Sequence, residues 1–258
     1  MRPIFSICPP ALEVTAFGRR LFLSPWFEPI WSRDGRLAAL ELLSRIHDRD
    51  TGKLLSPEDF FLKAQDSEQF QVLNWQLQIL SLMTPWCNSH DVPVSINISR
   101  TVAKLILLDL NTQETMLRLA PHLRLEISEK FMPAGLLPEQ DTFLPRLKLL
   151  APLWLDDFGV GSNELLLLMS GVFEAIKIDR ILLERLHKFP DGHIFFSGLC
   201  ELARNAHVHV IAEGVSDNFL QDFANSAKVT SCQGWLWPGF TLEKLYLLPE
   251  IIPRDFVD

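Results

Sequence analysis

Polar or charged side chains end a series of short apolar segments in this chain, and each segment has the length of a buried β-strand. A carboxylate is not tolerated in a protein core unless a cation, another polar partner or water meets it. Several strands that end in such groups therefore predict one shared site at the strand ends. The positions concerned are Asn97, Glu126, Asp156, Asp157, Lys177, Glu213 and Gln233.

The donor atoms available near these strand ends point to a hard divalent metal. The side chains offer carboxylate and amide oxygens, and no Cys or His stands among them. Oxygen donors of this kind suit Mg²⁺, Mn²⁺ or Ca²⁺. The residues predicted to bind metal are Glu41, Asn97, Glu126, Asp156 and Asp157.

Phosphodiester hydrolysis is a reaction that such a set would serve. Adjacent Asp156 and Asp157 are suited to place one carboxylate on each side of a metal pair, and two metals about 4 Å apart recur in in-line phosphodiester cleavage. Lys177 would orient the attacking water or neutralise developing charge, while Glu213 would accept a proton or bind the second metal. Taken singly, each acidic residue also fits a solvated strand end or a helix cap. Their recurrence at the ends of successive predicted strands favours the shared site.

The composition indicates one globular domain with a full core. The chain has 258 residues, 48% of them hydrophobic, and a (β/α)8 barrel typically has about 250. A net charge of -8 argues against direct binding to nucleic acid or to an anionic membrane surface. No apolar stretch reaches the roughly 18–20 residues of a membrane span. Four separated cysteines without a CxxC pair indicate reduced thiols, so we expect a cytoplasmic protein.

Strand-like and helix-like segments alternate along the chain, which predicts a parallel sheet. Apolar runs at residues 21–30 and 37–45, separated by a turn that contains Asp-Gly, predict an antiparallel hairpin at the start. Eight predicted strands and this length favour a closed barrel, whose catalytic residues lie at the carboxyl ends of the strands. The predicted fold class is α/β, with an N-terminal extension over residues 1–20 and one barrel domain over residues 21–258.

Local signals predict several element boundaries. Ser56 and Pro57 are typical of a helix start, and Ser99 is expected to cap another helix. A long helix is predicted from about residue 67 to residue 83, ending before Pro85. The last strand is predicted over residues 228–234, followed by a helix that begins at Thr241.

Ordered motifs from residue 27 to residue 248 resemble the EAL-domain family of cyclic di-GMP phosphodiesterases, which have a modified (β/α)8 barrel with an antiparallel first strand. Each motif is weak alone, but their order and spacing together are specific. Residues 27–30 (FEPI) resemble YQPI, 41–45 (ELLSR) resemble EALLR, and 126–129 (EISE) resemble ELTE. Residues 156–161 (DDFGVG) resemble DDFGTG, while KIDR at 177–180, AEGV at 212–215 and QG at 233–234 match directly.

The resemblance implies a role for each matching residue. Glu41, Asn97, Glu126 and Asp156 would bind one Mg²⁺ or Mn²⁺ ion, and Asp157 would hold a second with Asp156. Glu41, Lys177 and Glu213 would be catalytic, with Lys177 on the attacking water and Glu213 as general base or second-metal ligand. Substrate contacts would come from Glu28, Arg45 and Gln233, while Glu129 would brace the loop after Asp157. The implied reaction opens one phosphodiester of cyclic di-GMP to give linear pGpG.

This chain departs from the family pattern mainly around the loop that follows the Asp pair. Val160 replaces a threonine, and Ser216 replaces a glutamate that helps to position the same loop. Glu28 replaces a glutamine and adds negative charge near an anionic ligand. A tryptophan-rich run at residues 235–239 stands where a basic residue is expected. Changes beside the metal ligands typically lower affinity or activity about 10- to 100-fold.

Three functions are consistent with this pattern. The first is an active cyclic di-GMP phosphodiesterase that lowers the second messenger controlling biofilm, fimbriae and motility, and it is favoured by the intact metal and water residues. The second is a weak or inactive regulator that binds a protein partner, such as a flagellar or fimbrial transcription regulator. The third is a nucleotide sensor that binds without cleaving. The resemblance also suggests a homodimer.

Overall fold

The fold begins with the antiparallel hairpin that the sequence predicts. The computed structural model describes residues 11–133, 135–161 and 164–252, apart from the side chain of Glu129. In it, strand β2 (Arg19–Ser32) pairs with β3 (Leu37–Asp48) over most of their length. Strand β1 (Leu12–Ala16) pairs with β2, so part of the segment assigned to the N-terminal extension joins the sheet. A two-residue strand, β4 (Leu54–Leu55), extends the far end of β3.

Eight strands close into a barrel, as expected from the alternating pattern. Strand β2 pairs antiparallel with both β3 and β10, and the other neighbouring barrel strands are parallel. The prediction of an α/β barrel with an antiparallel first strand is therefore confirmed. The barrel strands are β2 (Arg19–Ser32), β3 (Leu37–Asp48), β5 (Val94–Asn97), β6 (Leu123–Ser128), β7 (Leu153–Phe158), β8 (Phe173–Ile178), β9 (His209–Ala212) and β10 (Ser231–Cys232).

Helices follow the parallel strands, and the large apolar core lies between them and the barrel wall. Capping agrees with the local signals, since Ser56 and Ser99 accept hydrogen bonds from the first turns of α1 and α3. The helices are α1 (Pro57–Lys63), α2 (Asp66–His90), α3 (Arg100–Ile106), α4 (Leu110–Leu119), α5 (Phe143–Lys148), α6 (Glu164–Met169), α7 (Arg180–Lys188), α8 (Gly192–Asn205) and α9 (Asn218–Ser226).

The predicted end of the long helix is wrong, because α2 continues through Pro85 to His90. Proline removes one backbone donor from a helix and clashes with the preceding turn. Met83 on one side of the proline, and Trp86 and Cys87 on the other, are all buried. Burial of these side chains offsets the local cost and carries the helix past the proline.

Two elements near the C-terminus are shorter or tighter than predicted. Only Ser231–Cys232 of the predicted last strand pairs in the sheet, because Gly234 turns the chain immediately after Gln233. The segment after Thr241 is a 3₁₀ helix, Leu242–Leu247, rather than an α-helix. Helix α4, whose start is capped by Asp109, was not predicted.

The cysteines and the helices agree with the composition. Cys87, Cys200 and Cys232 are free and buried, while Cys8 lies outside the described residues. In the described part of the chain, no helix has both the length and the apolar character needed to cross a bilayer.

Candidate active site

All eight barrel strands supply, within the strand or at its carboxyl end, a polar side chain to one connected network inside the barrel. Side chains alternate between the two faces of a strand, so a residue two positions away points into the same interior. Apolar residues such as Trp154 and Ile211 lie two positions before network residues on the same strands, and they belong to a small separate core. The network therefore rests on an apolar floor. Its members are Glu28, Glu41, Asn97, Glu126, Asp156, Lys177, Glu213 and Gln233.

Lys177 lies at the centre of this network and is almost completely buried. Its Nζ atom is 2.6 Å from Glu213 Oε1, 2.8 Å from Glu126 Oε2, 3.0 Å from Glu41 Oε2 and 3.7 Å from Asp156 Oδ1. One ammonium group is thus shared among four carboxylates. The structure shows Lys177 in contact with these carboxylates, and its predicted contact with the attacking water stays a prediction.

Glu41 is the second hub of the network. Its Oε1 atom accepts a hydrogen bond from Asn97 Nδ2 at 2.8 Å, and its Oε2 atom accepts one from Gln233 Nε2 at 2.7 Å. Gln233 Nε2 also lies 3.5 Å from Glu28 Oε2, and Glu28 is the direct cross-strand partner of Glu41. Two carboxylates on neighbouring strands are therefore bridged by one amide.

The excess of buried negative charge shifts the pKa values of the network. Burial raises the pKa of Glu213 to about 8, although Lys177 opposes the shift. Burial, reinforced by Glu41, holds the pKa of Glu126 well above its usual range, and burial also raises that of Asp156. Burial alone would raise the pKa of Glu41 as well, but Lys177, Gln233 and Asn97 outweigh it and lower that pKa. The network is short of cations.

Burial would also lower the pKa of Lys177, but the surrounding carboxylates, with Glu126 first, outweigh it and hold that pKa well above its ordinary range. Lys177 therefore stays charged at neutral pH. Burial and the neighbouring Glu41 carboxylate raise the pKa of Glu28. The replacement of glutamine by Glu28 thus adds a fifth carboxylate beside the single ammonium group of the network.

The unsatisfied atoms of the network fit a hard divalent metal. Glu126 Oε1, Asp156 Oδ1 and Gln233 Oε1 are buried without a hydrogen-bond partner. Buried polar atoms normally have a partner, and carboxylate and amide oxygens are the donors that Mg²⁺ and Mn²⁺ prefer. Among the described residues, no three acidic, His or Cys side chains are already arranged around one metal position. The ammonium of Lys177 lies among the four carboxylates instead.

Asp157 stands apart from the network at the start of the following loop. Its backbone φ of 58° lies in the left-handed region, so its side chain leaves the strand in a different direction from that of Asp156. Burial and the Asp156 carboxylate raise the pKa of Asp157 to about 6. The Asp157 carboxylate therefore lies close enough to that of Asp156 for the two charges to interact.

Two arginine–tryptophan stacks stand at the same end of the barrel. The guanidinium carbon of Arg45 lies 3.5 Å from the centroid of the Trp26 ring, and that of Arg180 lies 4.6 Å from the centroid of Trp235. Arg45 follows Glu41 by four residues on β3, about 13 Å along the strand. These stacks provide positive charge at this end of the barrel, and the Trp235 ring is 66% exposed, whereas Trp26 is half-buried.

The sequence-predicted residues whose side chains are described separate into two groups in space. Glu28, Glu41, Asn97, Glu126, Asp156, Lys177, Glu213 and Gln233 share the network, while Asp157 and Arg45 lie beside it. The side chain of Glu129 lies outside the described part of the structure. Sequence reasoning missed Glu164, whose carboxylate contacts the loop after Asp157. An acidic residue directly after DDFGVGSN, at the start of an apolar helix, was the available signal.

Comparison with known proteins places this geometry in a family. The sequence profile of the EAL domain matches residues 15–238. Cyclic di-GMP phosphodiesterase PdeH of Escherichia coli K12 is 32% identical over 214 residues, covering 81% of this chain and 80% of PdeH. Cyclic di-GMP phosphodiesterase PdeR of the same organism is 25% identical over 245 residues, covering 85% of this chain but 35% of PdeR.

Solved structures give the same result for the fold. The EAL-like domain protein YdiV superposes with a TM-score of 0.81 at 18% identity, over 90% of this chain and 97% of that one. The phosphodiesterase PaMucR, in complex with c-di-GMP, superposes with a TM-score of 0.72 at 25% identity, over 86% of this chain and 94% of that one. The profile match and the similarity to PdeH together show that the chain belongs to the EAL domain family.

Proposed function

We propose that this protein is a metal-dependent phosphodiesterase that hydrolyses cyclic di-GMP to linear pGpG. The observation that carries the proposal is the shortage of cations in the network, where four carboxylates share the one ammonium of Lys177 and one of them, Glu126, keeps a buried oxygen without a partner. Relatives that are named cyclic di-GMP phosphodiesterases, PdeH among them, support the choice of substrate.

Glu41, Asn97, Glu126 and Asp156 would hold one Mg²⁺ or Mn²⁺ ion, and Asp157 would hold a second with Asp156. When bound, these ions supply positive charge to the phosphoryl oxygens and lower the pKa of bound water. The chain's own residues orient the reactants around them. Lys177, which already contacts Glu213 at 2.6 Å, positions the attacking water next to that carboxylate.

Proton transfer in this scheme runs through Glu213. The oxygen of water forms a bond to phosphorus, the bond from phosphorus to the 3′-oxygen of one ribose breaks, and the proton of the water passes to the Glu213 carboxylate. The departing 3′-oxygen takes up a proton, so the product is a linear dinucleotide with a 5′-phosphate. The stacks Arg45–Trp26 and Arg180–Trp235 offer cations and ring faces to the phosphates and bases of the substrate.

The test is hydrolysis of cyclic di-GMP by the purified protein with Mg²⁺ or Mn²⁺, followed by chromatography of pGpG. Glu41→Gln keeps the shape of the side chain but removes its charge, so we expect product formation to fall at least 100-fold. Glu114→Gln makes the same change at an exposed position on α4 and is expected to retain full activity. Equal activity of Glu41→Gln and the wild type would contradict the metal assignment.

A second candidate, a protein-binding regulator in the cytoplasm, is favoured by the surface around the loop. Val160, which is 53% exposed, stands where the family pattern has a threonine. Trp235, which is 66% exposed, begins the run in which the family pattern has a basic residue. A protein that neither cleaves nor binds cyclic di-GMP, yet retains a specific protein partner through these residues, would support this function. Binding of the nucleotide without cleavage would indicate a sensor.

A further inference from the structure

A buried carboxylate outside the ion network contacts the loop that follows Asp157. Glu164, the first residue of α6, is 8% exposed. Its Oε2 atom accepts a hydrogen bond from the backbone N–H of Gly159 at 2.8 Å, and its Oε1 atom accepts one from the N–H of Gly161. No salt bridge to Glu164 is present among the described residues. Its negative charge is therefore matched by two loop amides, which form charge-assisted hydrogen bonds.

These amides belong to the loop that follows Asp157 at the end of β7, and the backbone there has positive φ angles at two positions. Asp157 has a φ of 58° and Gly159 a φ of 117°, conformations that ordinary side chains rarely adopt. A Cβ atom on Gly159 would stand 2.3 Å from Leu182 Cδ2, so α7 presses on one side of the loop. Glycine adopts such a φ freely, but an aspartate at positive φ is uncommon and persists where the surrounding structure fixes it. Glu164, at the start of the helix that follows the loop, restrains the loop through its two hydrogen bonds.

Two of the positions expected to hold the loop cannot do so in this chain. Val160 has no hydroxyl group, and its side chain is largely exposed. Ser216 Oγ donates a hydrogen bond to Asp217 at 3.0 Å, and Asp217 in turn caps α9. Both positions that depart from the family pattern therefore leave the loop without their support, while Glu164 contacts it twice.

We propose that Glu164 is a positioning residue that holds residues 157–161 so that the Asp157 carboxylate stays in place for the second metal ion. The part of this inference that concerns metal rests on the proposed function. A competing explanation is that Glu164 only adds negative charge to the first turn of a helix, which is favourable in any helix. Glu58, which is exposed in the first turn of α1, provides the matched control.

The experiment compares Glu164→Gln with Glu58→Gln in the full chain. The glutamine at position 164 keeps the volume and one acceptor, but its NH₂ group faces a loop N–H, so one of the two contacts is lost. We expect faster hydrogen exchange at the amides of Gly159 and Gly161, and Mn²⁺ affinity weakened about 10- to 100-fold by titration calorimetry. Glu58→Gln is expected to match the wild type in both measurements.

The two readouts separate the inference from the proposed function. Wild-type exchange at Gly159 and Gly161 in Glu164→Gln would show that Glu164 does not hold the loop, whether or not the protein is active. Faster exchange with unchanged Mn²⁺ affinity would show that Glu164 holds the loop, and it would overturn the proposal that this contact positions Asp157 for metal. If exchange accelerates in Glu164→Gln but the wild type binds no Mn²⁺ and cleaves no cyclic di-GMP, Glu164 still holds the loop, and the proposed function is wrong.

Discussion

The ammonium of Lys177 is shared by four carboxylates, and this imbalance of charge determines how each group in the network titrates. Removing one partner from a buried ion pair leaves uncompensated charge, which typically lowers stability by about 3–5 kcal/mol. Burial and repulsion favour protonated carboxylates, while Lys177 favours ionised ones. Lys177 therefore stabilises the metal-free fold mainly where the carboxylates are ionised.

Replacement of this lysine should destabilise the protein in a pH-dependent way. At pH 9, above the Glu213 pKa of about 8, Lys177→Met is expected to lower the free energy of unfolding in urea by about 3–5 kcal/mol. At pH 5 the loss should be smaller, because the carboxylates with raised pKa values hold protons and need the cation less. Lys104→Met, at an exposed position of α3, should have little effect. An equal loss at both pH values would contradict the account.

Metal binding should release protons at neutral pH. Because the pKa of Glu213 is raised to about 8 in the metal-free network, this carboxyl is mostly protonated at pH 7, and the charge of a divalent ion bound beside it favours loss of that proton. Mn²⁺ affinity should therefore rise with pH through about 8. Calorimetric titrations at pH 7 in buffers with different ionisation enthalpies should give different apparent enthalpies, and at pH 9 the difference should largely vanish. Identical enthalpies at pH 7 would contradict the assignment of the proton.

At the scale of elements, strand alternation determines which residues enter the barrel. The strand ends at Asn97, Glu126, Lys177 and Glu213 were predictable because short apolar runs with a final polar residue are a local signal. The brace by Glu164 was not predictable in the same way, since its partners are backbone amides whose positions depend on a loop conformation. The course of α2 through Pro85 depends on packing of the residues around it, which no local pattern shows.

The proline within α2 gives a prediction about stability. Pro85 is exposed and lies inside the helix, where proline is about 3 kcal/mol less favourable than alanine. Pro85→Ala should therefore increase the free energy of unfolding by about 1–3 kcal/mol in urea titrations. Pro57, the first residue of α1, occupies a position that suits proline, so Pro57→Ala should give no increase. Stabilisation by both changes, or by neither, would show that the helix context is not the cause.

At the scale of the whole molecule, the barrel contains a polar network above an apolar floor. Five strands contribute to that floor, through Ile30, Ala39, Trp154, Ala175 and Ile211. Closure of the barrel by β2 and β3 brings Glu28 and Glu41 opposite the carboxylates of the parallel strands. The number of strands and the hairpin could be predicted from sequence, whereas the central position of Lys177 required the closed barrel.

Loss of the floor should destabilise the barrel without removing any residue of the network. Trp154 is 5% exposed, and truncation of a buried tryptophan to alanine typically lowers the free energy of unfolding by about 3–5 kcal/mol. We expect this loss for Trp154→Ala in urea unfolding. Trp235→Ala, at a tryptophan that is 66% exposed, should change stability by much less. A comparable loss in both variants would argue against an apolar floor beneath the site.

The most direct test of the metal centre is anomalous X-ray scattering from crystals soaked in Mn²⁺. Two anomalous peaks about 4 Å apart are expected at the carboxyl ends of the strands. One should be in contact with Glu41, Glu126 and Asp156, and the other with Asp156 and Asp157. Lys177 should no longer be the shared partner of all four carboxylates. Absence of any peak at the network, with the four contacts of Lys177 intact, would contradict the metal assignment.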